Sequence, residues 1–174
     1  MLENNNKYKL LKVFLDNPTD NFRLRELSRI TKISPPSVMN YLKEFENKGL
    51  VKTYKKRDIP FYISLRDNEK FKLYKKLSIF LELNNSGFVD FLWEKLSPNA
   101  IILYGSYAKG ESTEYSDVDL FIISKEKNID ISSFERKINK KVHIMFEDNI
   151  KKIPNELKNN IINGIILKGY VKFF

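Results

Sequence analysis

The sequence predicts an α/β (α+β) protein in two parts, and three observations carry that reading. Residues 7–65 hold three stretches of helical apolar spacing, then two extended runs around a basic tip. The second half alternates helical stretches with short apolar runs, of which Ala100–Tyr104 is the clearest. Charge divides the chain at the same place: residues 1–66 carry 14 Lys/Arg against 7 Asp/Glu, and the remainder 17 against 15. A basic part joined to a nearly neutral one suggests two modules with different partners. A generally Lys-rich, solvated surface is the plainer explanation of the surplus taken alone.

The 174 residues suffice for one ordinary domain or two small ones. Apolar residues make up 42% and aromatics 13%, which supports a packed core and excludes global disorder. There is no cysteine, so disulfides and thiolate metal sites are excluded, and a cytoplasmic setting is expected. The longest apolar runs are too short to span a bilayer, and the N-terminus lacks the basic start and apolar stretch of a signal peptide. No membrane association is expected.

Taken in order, Lys7–Leu15 reads as a helix ended near Asn17-Pro18, and Asn21-Phe22-Arg23 as a short extended link. Leu24–Ile30 is a second helix with Leu24, Leu27 and Ile30 on one face. Ser34 is placed to cap a third, with Pro35 and Pro36 tolerated in its first turn, Val38, Leu42 and Phe45 buried, and Gly49 as its stop. Leu50–Tyr54 and Phe61–Leu65 form a hairpin with residues 55–60 as its tip. Asp67–Leu83 is a long amphipathic helix with Phe71, Tyr74, Leu77, Phe80 and Leu81 as its expected core face, bridging the two modules rigidly. Phe88–Leu96 and Glu156–Ile162 are further helices. Ala100–Tyr104, Val118–Ile123 and Val142–Phe146 are strands, and Ile165–Phe174 ends the chain in strand and coil.

Residues 25–51 run helix, turn, second helix, then Gly49-Leu50-Val51 into a strand. With the basic hairpin this resembles a winged helix-turn-helix domain, which sets a first domain at residues 1–66, a connecting helix at 67–85 and a second domain at 86–174. A recognition helix enters the major groove N-terminus first, so its early exposed side chains reach the bases. Here these are Ser34, Ser37, Asn40 and Tyr41, with Asn40 the best base reader. Lys32 and Lys43 suit phosphates, and Lys55, Lys56 and Arg57 suit the backbone beside the wing. DNA is the expected partner; a protein-docking module with solvated lysines is the alternative. A homodimer would suit a winged helix that reads paired half-sites.

The strongest motif is Leu103-Tyr104-Gly105-Ser106, separated by ten residues from Asp117-Val118-Asp119 and an apolar run. Gly105 lets backbone approach a phosphate, Ser106 adds a hydroxyl donor, and the helix start after them offers free N–H groups. Asp117 and Asp119, two apart on a predicted strand, share a face. Two adjacent carboxylates repel unless a cation lies between them, which suits Mg²⁺ or Mn²⁺ with triphosphate oxygens completing the shell. The stretch is similar to the polymerase β-like nucleotidyltransferase superfamily, most closely its small minimal members. The resemblance implies an NTP as substrate or ligand, Gly105, Ser106, Lys109 and Ser116 at the nucleotide, and Asp117 and Asp119 at the metal.

That family carries a third carboxylate on a neighbouring strand. The matching segment is Lys141-Val142-His143-Ile144-Met145-Phe146, and His143, the chain's one histidine, stands at the acid's position. His143 either binds metal or acts as a base, or it is an inert side chain. Glu147 and Asp148 are nearby substitutes. The leading expectation is transfer of a nucleoside monophosphate to a hydroxyl of a protein or an RNA. The alternatives are a nucleotide-sensing, DNA-binding transcriptional regulator with weak or absent turnover, and a transferase whose winged helix delivers a nucleic-acid substrate.

Overall fold

The computed structural model describes residues 5–148 and 153–172. They fall into two units, Met1–Lys75 and Lys76–Phe174, whose boundary lies inside one helix. No helix among the described residues is long and apolar enough to cross a membrane.

In the first unit α1, Asn6–Asp16, starts at Asn5, whose side chain accepts the N–H groups of Lys7 and Tyr8. It buries Leu10, Leu11, Phe14 and Leu15. The expected extended link is a true strand, β1 (Asn21–Phe22), and Phe22 meets Phe14 edge-on at 5.3 Å. Helix α2, Leu24–Thr31, is opened by Glu26, which accepts the N–H of Arg23. Its predicted face needs correction. Leu27 is buried but Ile30 is 51% exposed, and Thr31 takes the inner position because its hydroxyl donates to the Leu27 carbonyl.

Helix α3, Pro35–Asn47, buries Val38, Leu42 and Phe45 as expected. Ser34 precedes it, but its hydroxyl donates to Ser37 Oγ and accepts no N–H of the first turn. Strands β2 (Val51–Lys56) and β3 (Ile59–Ser64) pair antiparallel, and β1 joins the free side of β3. The pairing runs out to Lys56 opposite Ile59, so Lys55 and Lys56 lie on the strand and the tip is Arg57-Asp58 alone. Both tip residues have positive φ, 51° and 59°, the backbone of a two-residue turn that favours Asn-Gly.

Helix α4, Glu69–Asn85, contributes to both cores. The expected core face at Leu77 is wrong: Leu77 is 47% exposed. The buried stripe runs Phe71, Lys75, Ser78, Ile79, Leu83, through two polar residues that an apolar pattern skips. Lys75 is tolerated there because its ammonium donates to the Leu15 carbonyl at 2.8 Å.

The second unit continues with α5 (Phe88–Leu96), β4 (Ala100–Tyr104), α6 (Gly105–Lys109), β5 (Val118–Ile122), α7 (Ser132–Ile138), β6 (Val142–Phe146), α8 (Asn155–Ile162) and β7 (Ile165–Gly169). Helix α7 was not anticipated from apolar spacing; Phe134 and Ile138 are its main apolar anchors. The four strands form one mixed sheet in the order β6-β5-β4-β7, with β5 and β6 parallel and the other pairs antiparallel. Ile101, Leu103, Val118, Leu120 and Ile122 face a core with α5 and the end of α4. Ala100, Ile102, Tyr104 and Phe121 face a second, smaller core with Ile161 of α8.

An Asp58→Gly substitution relieves a left-handed backbone at the hairpin tip, which costs a non-glycine residue roughly 1–2 kcal/mol. We expect it to raise unfolding stability by about 1 kcal/mol in denaturant titration.

Candidate functional site

Tyr104 ends β4, and Gly105 then turns the chain into α6 with φ +71°. The positive φ favours glycine, and a neighbour lies close against it. Tyr104 pairs in register with Asp119, and a Cβ built on Gly105 would overlap Asp119 Oδ2 outright. The carboxylate therefore occupies the space that any other residue at 105 would fill. On the other side of β5, Asp119 is in register with His143 of β6, and His143 Nδ1 stands 3.7 Å from Asp119 Oδ1. That is an electrostatic contact, too long for a direct hydrogen bond.

Burial raises the pKa of Asp119 above the usual carboxylate value; His143 opposes this and the charge of Asp117 adds to it. Burial, aided by the charge of Asp119, likewise raises the Tyr104 phenol. A half-buried carboxylate beside a second carboxylate is a place where a cation is electrostatically favoured. The residues present fit a divalent metal by their donor chemistry: two carboxylates and a neutral-capable imidazole, with positions left for phosphate oxygens. Among the described residues no three His, Asp or Glu side chains close on one point as a complete cage.

The other predicted residues are placed as follows. Asp117 is exposed and lies just before β5, not on it. Ser106 is half-buried in the first turn of α6, and Lys109 is exposed at its end. Ser116 closes the turn leading to Asp117: its Oγ accepts the Thr113 N–H at 2.9 Å, and its own N–H donates to the Thr113 carbonyl. Glu147 continues the β5–β6 ladder through its N–H to Ile122, so His143 and not Glu147 or Asp148 is the residue beside Asp119.

In the first unit, Asn40 and Lys43 are exposed on α3, as are Lys55, Lys56 and Arg57 on the hairpin. Ser37 is half-buried and accepts the Ser34 hydroxyl. Tyr41 packs against the core with Lys7 Nζ 5.7 Å from its ring centre, so its ring belongs as much to the fold as to an outer face. Sequence reasoning missed Arg25 and Arg29, one turn apart on α2. With Ser28 and Pro35 they line an open cleft of about 470 Å³. Their i, i+4 spacing on a short helix was the available signal.

With this geometry in place, the comparisons with known proteins agree with both parts. Residues 86–168 match the family described as nucleotidyltransferase domain, and residues 3–52 match winged helix-turn-helix DNA-binding. A match to a winged helix-turn-helix is thus followed along the chain by a match to a nucleotidyltransferase domain. It is also 40% identical over 80 residues to a Methanocaldococcus jannaschii protein provisionally named a protein adenylyltransferase. That match covers 41% of this chain and 54% of the relative, so the chain spans about half the relative's length.

Two substitutions separate the roles of residues 105 and 119. Gly105→Ala combines positive φ with overlap on a carboxylate, so unfolding stability should fall by roughly 2 kcal/mol. Asp119→Asn should melt at an equal or higher temperature than the parent at pH 7. The sign follows from the raised pKa: the folded state holds this proton more tightly, so stability declines as pH rises from the unfolded value through the folded one. Thermal melts across pH 4 to 8 check both, and the decline should be smaller in the Asn variant.

Proposed function

We propose that the chain transfers the adenylyl group of ATP to a hydroxyl on a protein, using Asp117, Asp119 and His143, with its winged helix bound to DNA. The observation that carries this is the Asp119 carboxylate, seated against Gly105 at the start of α6 with His143 at its other side. The choice of ATP and of a protein acceptor is supported by the name of the Methanocaldococcus jannaschii relative.

Asp117 and Asp119 would hold Mg²⁺ or Mn²⁺, which when bound supplies charge neutralisation at the phosphates and a more acidic hydroxyl nucleophile. The protein's own residues do the rest. The N–H groups opening α6, the Ser106 hydroxyl and the Lys109 ammonium bind the triphosphate oxygens. The acceptor oxygen attacks the α-phosphorus, the bond from that phosphorus to the bridging oxygen of the β-phosphate breaks, and pyrophosphate leaves with the electron pair. The acceptor's proton passes to the exposed His143 imidazole, whose Nδ1 stands 3.7 Å from Asp119 Oδ1.

In the first unit, Asn40 reads a base edge while Lys43, Lys55, Lys56 and Arg57 meet phosphates. Arg57 supports this. A cation is kept at a positive-φ tip where Asn or Gly would be less strained.

A second reading is favoured by one observation, the histidine at the position of the family's third carboxylate. There the site binds nucleotide without turnover and tunes DNA binding. Labelled ATP with Mg²⁺ or Mn²⁺ and candidate acceptor proteins separates the two. Transfer lost by at least 100-fold in Asp117→Ala/Asp119→Ala supports the enzyme. Nucleotide binding without pyrophosphate release under any of these conditions supports the sensor. For DNA, replacing Lys55, Lys56 and Arg57 by Ala should weaken binding across sequences. It should also flatten the salt dependence by roughly 1 log unit for each phosphate no longer neutralised. An unchanged salt slope in a titration series contradicts the docking.

A further inference from the structure

We propose that the outer edge of β6 receives an extended segment of the acceptor protein as a fifth strand, which presents its hydroxyl side chain on the face of His143 and Asp119. This rests on the transfer reading above.

The sheet ends at β6. Val118 N–H donates to the Lys141 carbonyl at 2.9 Å, and Glu147 N–H donates to the Ile122 carbonyl at 3.3 Å. Between these two bonds a parallel ladder turns the backbone groups of residues 143 and 145 towards β5, and those of Val142, Ile144 and Phe146 outward. Glu135 Oε1 takes the Val142 N–H at 2.9 Å. Among the described residues nothing pairs with the outward groups of Ile144 and Phe146.

Edge strands are normally blunted by proline, lysine, glycine or a bulge. The opposite edge, β7, has Lys168 and Gly169, and its pairing with β4 is irregular at Ile101/Ile102. Strand β6, Val-His-Ile-Met-Phe, has no proline, lysine or glycine within it, and its pairing with β5 is regular. An open edge beside the reacting groups is available to an added strand.

The occupant follows from the hydrogen-bonding pattern and from continuity with the site. Outward N–H and C=O groups repeating every second residue are matched by another polypeptide backbone, whereas phosphates and sugars lack that alternation. Side chains of an added strand alternate between the two faces of the sheet. A residue level with His143 lies on the Asp119 face. Its two neighbours lie on the opposite face, where Ile129, Ile131, Val142, Ile144 and Phe146 line a cleft of about 270 Å³ with Lys127 at its rim. The acceptor segment is thus a Ser, Thr or Tyr with an apolar residue at each side.

The probe is a seven-residue peptide with a central tyrosine, a leucine on each side and acidic ends, titrated into the full chain with a non-hydrolysable ATP analogue. Amide NMR reads the docking, and labelled ATP in a separate assay reads transfer. We expect shifts and slowed exchange at the Ile144 and Phe146 amides. We also expect N-methylation of alternate peptide nitrogens to weaken binding about tenfold, with the intervening ones within about twofold. Uniform loss from methylation at every position overturns the inference. So does saturation without change at Ile144 and Phe146, or no binding at millimolar peptide. Concentration-dependent protection of the same amides without peptide also overturns it, assigning the edge to a second copy. Docking without transfer supports the edge and contradicts the transfer reading; transfer without change at these amides does the reverse.

Discussion

Asp119 sits where the side chain of residue 105 would otherwise be, and the second unit is arranged around that substitution of one group for another. The last residue of β4 and the second of β5 are register partners, so the carboxylate arrives at the backbone bend that opens α6. Only glycine allows the bend and the carboxylate together. The same closeness removes water from Asp119, which raises its pKa and makes its charge depend on compensation by its surroundings. His143 supplies part of that compensation, and Asp117 works against it. Beside two carboxylates of which one is half-buried, a cation would be electrostatically favoured.

The first unit shows a related compromise at its surface. The hairpin is closed by two residues in a left-handed backbone, neither of them glycine or asparagine, and one of them is an arginine. Local strain of this kind persists where the surroundings over-determine it and where the side chain has a use. With Lys55 and Lys56 on the adjoining strand, the tip extends a cationic ridge, while Arg25 and Arg29 place a second cationic pair on α2.

Most elements were legible in the sequence because their apolar spacing is strong. The three helices of the first unit, the hairpin, and the strands at residues 100–104, 118–122 and 142–146 were all anticipated. The misread faces of α2 and α4 share one cause: buried polar residues satisfied by carbonyl oxygens are invisible to an apolar pattern. Lys75 and Ser78 carry the buried stripe of α4, where Lys75 donates to the distant Leu15 carbonyl, and Thr31 replaces Ile30 on α2, where it donates to the Leu27 carbonyl one turn back. The hairpin tip was misjudged because pairing extended through Lys55 and Lys56 despite their charge. In the candidate site, Gly105 at a strand-to-helix turn and Asp119 on a strand were legible from residue type and spacing, whereas Asp117 lies just before the strand expected to carry it. The overlap that makes Gly105 obligatory was not legible, since it depends on the register of β4 against β5, and neither was the cleft beneath β6.

Catalysis, sensing and acceptor docking all require that Asp117, Asp119 and the start of α6 form a metal and nucleotide site. Titrating Mn²⁺ with a non-hydrolysable ATP analogue, and following paramagnetic broadening of the backbone amides, tests it directly. Broadening should centre on Gly105–Lys109, Asp117–Asp119 and His143, and should vanish in Asp117→Ala/Asp119→Ala. Broadening centred elsewhere, or none at saturating nucleotide, would contradict it.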